Sequence, residues 1–329
     1  MTHLPPRRLT GKNLVDSYGP SNPARLLVAP GEVFILETHD RFIGWLDSAS
    51  APDLADPSLM GVTGAVAVAG ARPGDLLAVD VLDIAFSSDF GMINAIPGKG
   101  AFAADVQSFT TRRVLFHHLG RPFSEEADAP GAGAYFVDFA GLRVPLRPMI
   151  GRIGTAPADP SVPSVAPGPH GGNLDVREIT TGATVYLPVF VPGALLSAGD
   201  VHAAMGDGES MISGVEAMAD LTLRCRLVGR GLAERLSISE PLVTTPSRFL
   251  TVASAPTLDE AAQRALHALR ELIVALLDLD PIEAGMLISI AADLGVAQIV
   301  NPLVTGKVAI DRSVFDFEAL LAEHGLVGQ

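Results

Sequence analysis

The chain has 329 residues, 48% hydrophobic and only 18% charged, which describes a folded protein with a large core rather than a disordered one. Its 37 acids outnumber 23 bases for a net charge of −14, so the phosphate backbone of a nucleic acid would be repelled on average. The lone cysteine, Cys225, excludes an intrachain disulfide framework and a thiolate zinc site.

No apolar run of about 18 residues predicts a membrane span, and MTHLPPRRLTGKN leads into no signal-peptide core. A soluble cytoplasmic protein is expected. The 33 glycines and 25 prolines favour turns between short strands over long helices. Low charge density at this length points to large buried contacts and a homodimer or higher homo-oligomer.

Taken in chain order, VFILE near residue 33, GAVAVAG near 64 and DLLAVDVLDI from 75 read as strands, with ARPGD at 71–75 as a turn. Alternation in the third strand is weak, as expected where both faces are covered. SSDFGMINAIPGKGA at 87–101 reads as a glycine-rich loop beside a site, and RPFSEEADAPGAG at 121–133 as an exposed connection. LRVPLRPMIGRIGTAP forms a strand before the proline-rich ADPSVPSVAPGPH, which cannot join a central ladder and runs toward the site. Strands resume at 183–197, 211–228 and 240–253, and Leu221, Leu223, Cys225 and Leu227 share one face, with the thiol as a small buried hydrophobe.

Two helices come late. Thr257 and Glu260 have capping-box spacing before an apolar face from Leu258 through Leu276. Asp280-Pro281-Ile282-Glu283 opens a second helix, predicted to stop at Gly295 before the strand AQIVNP. Strands first and helices late argue for α+β, mainly β, and against a doubly wound parallel sheet. The chain divides into an N-terminal β-rich part (1–150), a β-rich part bearing the site (151–255) and a C-terminal helical part (256–329), integrated as one unit.

Familiar covalent and nucleotide routes lack their residues. There is no G-x-S-x-G elbow, no dinucleotide fingerprint and no phosphate-binding P-loop. What stands out is HGGNLDVREITTGATVYLPVFVPGALLSAGDVHAAMGDGE at 170–209, where acids and glycines flank a strongly hydrophobic strand. Acids at the ends of buried strands need a cation or a reacting group. Asp200 and His202 project from one face of an extended segment, roughly 7 Å apart. A turn then brings Asp207 and Glu209 toward the same point. Carboxylates with one imidazole suit zinc, manganese or iron, and an oxygen-only subset suits calcium. ETHD at 37–40 offers Glu37 and Asp40 as further ligands or as a solvated strand end, and HGGN offers a nest of backbone amides.

The segment GGNLD…ITTGATVYLPVFVPGALLSAGDVHAAMGDGE resembles the acetamidase/formamidase family. The likeness extends to GARPGDLLAVDVLDI, PMIGRIGTAP and AADLGVAQIVNP, and so covers most of the chain. It implies an amidohydrolase that releases ammonia from small linear amides, a fold of sandwich and barrel-like β parts with a small α/β element, and a divalent-metal site. Asp175, Asp200, His202, Asp207 and Glu209 fall on matching positions of the motif, as do Gly171, Gly172 and Asn173, and Glu216 is an acid of the family type.

Residue roles follow as expectations. His202, Asp200 and Asp175 hold the metal, with Glu37 and Asp40 as further candidates, and zinc ranks before calcium. Glu209, Glu216 or Asp207 moves the proton. Gly171, Gly172 and Asn173 contact substrate, with the glycine amides facing the oxyanion. Met205 stands where the family usually has Gln, which marks an altered substrate contact. Two other readings use the same residues: a non-catalytic β-sandwich binding module with a structural cation, and a metal-free carboxylate dyad.

Overall fold

The computed structural model describes residues 5–38, 61–118 and 135–326. Asp40, His39 and the 121–133 connection lie outside the described residues.

Two large sheets and a helical layer make the architecture. The first sheet has nine strands, running in spatial order Arg7–Leu9, Val33–Glu37, Ala219–Leu227, Leu76–Phe86, Thr184–Pro188, Leu242–Thr244, Arg248–Ala255, Val304–Asp311 and Ala292–Gln298. It draws strands from all three segments read along the sequence. The second sheet has twelve strands among the described residues and carries the site at its centre, where Phe90–Ala95, Glu216–Ala217, Leu196–His202, Met149–Gly154 and Gly171–Asn173 lie side by side.

The strand Leu76–Phe86 explains how the layers stack. Leu77, Val79 and Val81 enter the core between the sheets, where they meet Ile150, Ile153, Ala198 and Val201 of the second sheet. Leu76 and Ala78, on the opposite face, join Tyr186, Phe249 and Val308 beneath the helices. A strand buried on both faces has no polar side to present, so its sequence shows little alternation. Ala219–Leu227 lies nearer the edge and does alternate, with Leu221, Leu223 and Cys225 fully buried.

Helix Leu258–Leu277 starts where Thr257 accepts a hydrogen bond from the Glu260 amide. It buries Ala261, Ala265, Leu269, Leu272, Ile273 and Leu276 at helical spacing. Asp280 caps the next helix, Pro281–Ala291, by accepting from the Ile282 and Glu283 amides at 2.7 and 3.1 Å.

Three expectations change. The second helix ends at Ala291, not Gly295, because Ala292–Gln298 pairs antiparallel with Val304–Asp311 and adds an edge strand to the first sheet. Phe90–Ala95 is a strand paired with Thr110–His118 rather than part of a loop, and only the following turn reaches the site. Residues 211–215 are a loop; the strands there are Glu216–Ala217 and Ala219–Leu227.

Candidate active site

Sheet register performs the first step of assembly. His202 stands opposite Glu216 on one neighbouring strand and opposite Met149 on the other. Arg152 stands opposite Gly199 on one side and Asn173 on the other. Asp175 follows two residues after that strand, and Glu209 arrives on the GDGE turn. The turn is fixed by the Gly208 amide donating to the Ala297 carbonyl and the Ile299 amide donating to the Gly208 carbonyl, at 2.8 and 3.1 Å.

Asp175, Asp200 and His202 form one group with ligand-type atoms within 4.8 Å of one another, and His202, Glu209 and Glu216 form a second on the same imidazole. His202 Nε2 lies 3.3 Å from Glu216 Oε1, 3.9 Å from Asp200 Oδ1 and 4.0 Å from Glu209 Oε1. Asp200 is held from its other side by Arg152, whose Nε is 2.9 Å from Oδ2. Asn301 donates to Asp175 Oδ2 at 2.7 Å, and Ser213 donates to Glu216 Oε1 at 3.0 Å. Asp175 Oδ1 and Glu209 Oε2 are buried without a hydrogen-bond partner, an expensive state for a carboxylate.

Local backbone geometry shows that these positions are constrained. Asp175, Asp200 and Glu209 all adopt left-handed conformations, with φ of 49°, 59° and 47°. Asp tolerates this region better than most residues and Glu less so. Three of the cluster's four carboxylates therefore sit in conformations that the surrounding ladder must impose. Close approach matters as much. A Cβ on Gly151 would meet Asp175 Oδ1 at 2.5 Å and the Asp200 carbonyl at 2.8 Å, and one on Gly214 would meet the His202 ring at 2.8 Å.

Electrostatics follow from crowding acids away from water. Burial pushes the Asp175 carboxyl up to about 6, with the Asp200 charge adding to it and His202 opposing. Burial and then the Asp175 charge lift Glu209 well above the ordinary carboxylate range. Burial also raises Glu216, against the pull of His202. Asp200, with its side chain 19% exposed, is desolvated too, but Arg152 and His202 outweigh that burial and hold it below its usual value. Burial works against protonation of His202, yet Glu216, Asp200 and Glu209 together lift it well above normal. The cluster is a strong electrostatic trap for positive charge.

A cavity of about 520 Å³ opens onto this floor, with Arg152, Asn173, Asp200, Glu209, Glu216 and Asn301 among its lining residues. Several expected residues are elsewhere. Glu37 bonds to Arg8 and to the Gly11 amide on the first sheet, remote from either ligand-type group. Asp207 faces away from the cluster, bonded to Lys307 Nζ at 2.8 Å beside Glu178, because its turn presents only Glu209 inward. Gly171 and Gly172 are taken up by pairing with Met149–Gly154 and Pro167–Gly168, so this segment gives the cavity Asn173 and not a nest of free amides. Met205 is not on the cavity wall; its sulfur lies 3.3 Å from His202 Nδ1, behind the imidazole.

Sequence reasoning passed over Arg152, Ser213 and Asn301. Arg152 and Asn301 lie inside PMIGRIGTAP and AADLGVAQIVNP, segments noted only for their family likeness. Asn301 is positioned by the fully buried Gln298, whose side-chain oxygen accepts from the amides of Val300 and Asn301 at 2.8 and 2.9 Å.

Comparison with known proteins identifies the family. The model of the acetamidase/formamidase family matches residues 7–162 and 158–316. A formamidase of Methylophilus methylotrophus is 27% identical over 298 residues, covering 76% of this chain and 73% of that protein. The crystal structure of an acetamidase from Bacillus halodurans superposes with a TM-score of 0.79 at 38% identity, over 94% of this chain and 98% of that one. A predicted acetamidase/formamidase from Thermoanaerobacter tengcongensis gives a TM-score of 0.83 at 30% identity, over 98% and 99%. With the family motif on the strands that build the carboxylate–histidine cluster, and the match running through nearly the whole chain, this protein belongs to the acetamidase/formamidase family.

Proposed function

We propose that this protein hydrolyses small linear amides to a carboxylate and ammonia at the His202 cluster, using water activated by a divalent cation. The observation that carries the reading is the convergence of Asp175, Asp200, His202, Glu209 and Glu216 on one buried point at the floor of an open cavity. The donor set fits a cation. Two of the cluster's carboxylate oxygens, Asp175 Oδ1 and Glu209 Oε2, have no partner, and among the described residues its four acids meet one permanent positive charge, Arg152. With a neutral imidazole as ligand, a divalent ion would leave one excess negative charge, that of one free base.

Zinc is the proposed ion, since one imidazole with carboxylate oxygens suits it and the cavity supplies an open side; calcium is second, because it would use the acids alone. His202, Asp200 and Asp175 would hold it. When bound, such an ion lowers the pKa of a water to about 7 and supplies a nucleophile without Ser or Cys.

The chain's own residues do the rest. Glu209 or Glu216 takes the water proton and passes it to the amide nitrogen, which leaves only when protonated, a contribution of about 10²–10⁴ in rate. Asn301 and Arg152 orient Asp175 and Asp200 from behind. Arg152 also lines the cavity, and its positive charge favours the carbonyl oxygen as negative charge develops there.

The test is elemental analysis of the purified protein, with ammonia release from formamide and acetamide measured before and after chelation. Wild type is expected to carry zinc, to lose turnover on chelation and to regain it with added zinc, while His202→Ala loses metal and turnover together. Turnover that survives exhaustive chelation would return the carboxylate dyad, and bound metal without turnover of any amide would return the binding module.

The expected homo-oligomer has a surface to match. Ile282, Met286 and Ile290 are exposed along one side of Pro281–Ala291, and Leu294 on the adjoining edge strand continues the stripe. Such a patch, next to an open sheet edge, favours association of copies. A reducing, cytoplasmic setting accords with the single buried thiol of Cys225. Among the described residues no helix is long and apolar enough to cross a membrane.

A further inference from the structure

We infer that the substrate is a primary amide with an extended apolar acyl chain of about five to eight carbons, rather than formamide or acetamide. The inference rests on the amide-hydrolysis reading above and specifies its substrate.

The first argument is space. Acetamide has four heavy atoms; at roughly the 30 Å³ that a water molecule takes in the liquid, it would occupy on the order of 100 Å³. The cavity above the cluster measures about 520 Å³. An amide of six to eight carbons fills a larger share and still leaves room for the attacking water.

The second argument is the chemistry of the walls. Away from the floor, the lining is built mainly from Ile96, Val165, Ile212 and Val300, with Pro163 and Pro302, and the buried Ser164 is its one uncharged polar residue. The six apolar side chains make no hydrogen bonds, so that surface can recognise only apolar groups. Charged groups reach this part of the wall from Asp16 and Lys99, both solvent-exposed. Ile212 adds an independent sign. It has φ of 73°, a region that a β-branched residue rarely enters and that a polar or glycine residue would occupy more cheaply. An isoleucine there turns a strained loop position into apolar wall.

The third argument fixes orientation. The amide nitrogen must receive a proton from the floor, where Glu209 Oε2 is an acceptor without a donor. A primary amide brings two N–H donors to that floor, whereas an N-alkyl group would remove one and push carbon against buried carboxylates. The apolar extension therefore belongs on the acyl carbon and points along the wall toward the opening. The reaction itself is ordinary hydrolysis: the C–N bond breaks, water oxygen joins the acyl carbon, and the nitrogen leaves as ammonia.

The experiment measures kcat/KM on the zinc-loaded enzyme for formamide, acetamide, butyramide, hexanamide and octanamide, with N-butylacetamide as an isomer of hexanamide. Each buried methylene is expected to raise kcat/KM about fourfold, for a gain of about 250-fold from acetamide to hexanamide. N-butylacetamide, followed by acetate release, is expected to react at least tenfold more slowly than hexanamide. In Val300→Trp, the ratio of hexanamide to acetamide kcat/KM is expected to fall tenfold or more, because the indole occupies wall space. A flat or declining series, with formamide and acetamide still hydrolysed, would overturn the acyl-chain inference and leave the amidase reading standing. Equal rates for the two isomers, or an unchanged ratio in Val300→Trp, would also overturn it. No hydrolysis of any amide would overturn the amidase reading, and this inference with it.

Discussion

Glu240 carries no role in the cluster, yet it should set how stability responds to pH. Its side chain is only 9% exposed, Oε2 has no hydrogen-bond partner, and Arg264 gives it only a long-range favourable field. Burial pushes its carboxyl up from the ordinary 4.5 to about 7. Below pH 4.5 the folded and unfolded chains both hold the proton, so the group contributes nothing to pH dependence. Between there and pH 7 the unfolded chain releases the proton while the folded chain keeps it, so stability falls as pH rises. Above pH 7 the full penalty applies, about 3 kcal/mol for a shift of this size. Glu240→Gln removes the ionisation while keeping the shape. It should therefore stabilise the protein by about 3 kcal/mol at pH 8.5 and by close to nothing at pH 4. Thermal unfolding at the two pH values reads the difference; at this chain length it amounts to roughly 6 °C in Tm, at about 2 °C per kcal/mol. A Tm gain equal at both pH values, or none at pH 8.5, would show that Glu240 is solvated or paired in the folded state and refute the argument.

Two further substitutions probe the cluster itself. Gly151→Ala places a methyl group 2.5 Å from Asp175 Oδ1 and 2.8 Å from the Asp200 carbonyl. It should cut zinc affinity and amide turnover at least 100-fold while the circular dichroism spectrum keeps its β signature; wild-type zinc binding would mean that the two acids do not share a ligand. Met205→Gln exchanges a weak sulfur acceptor at 3.3 Å from His202 Nδ1 for an amide oxygen. A stronger acceptor on the far nitrogen fixes the tautomer and raises the basicity of the nitrogen facing the cluster. Zinc affinity, measured by chelator competition, should tighten about tenfold, and an unchanged constant would remove Met205 from the support of the imidazole.

The parts of this protein that were legible in sequence are those where local chemistry decides alone. Thr257 and Asp280 announce their helices because a cap needs one side chain and two or three nearby amides. The alternation of Leu221, Leu223 and Cys225 is readable because one face of that strand is polar. Legibility fails where a distant partner decides. Ala292–Leu294 looks like the last turn of a helix, but pairing across to Ile310, Ala309 and Val308 makes it strand. Glu37 looked as suitable for a metal as Asp175, and Asp207 as suitable for proton transfer as Glu209. What separates them is Arg8 and Lys307, cations that claim Glu37 and Asp207 from far along the chain. Arg152 and Asn301 gave no signal of their own, since a lone Arg on a strand and a lone Asn in a loop are common. Only register and the Gln298-held loop bring them to Asp200 and Asp175.

The division between strand and loop has a functional consequence. Asp200, His202 and Glu216 stand on paired strands, and Asp175 and Glu209 are held in left-handed conformations by the backbone bonds around them. Shifting the strand residues by one position would send their side chains to the opposite face, and the left-handed positions are fixed by their local backbone, so the reacting floor tolerates little change. The walls are different. Val165, Ile212 and Val300 come from three separate connections, none of which pairs with the ladder that carries His202. Substitution there costs the floor nothing in register. A family built this way can keep one hydrolytic chemistry and change the acyl group it accepts by altering a few loop side chains. The isoleucine at position 212, held at a φ of 73° on the cavity wall, is the position where substitution would test that separation most directly.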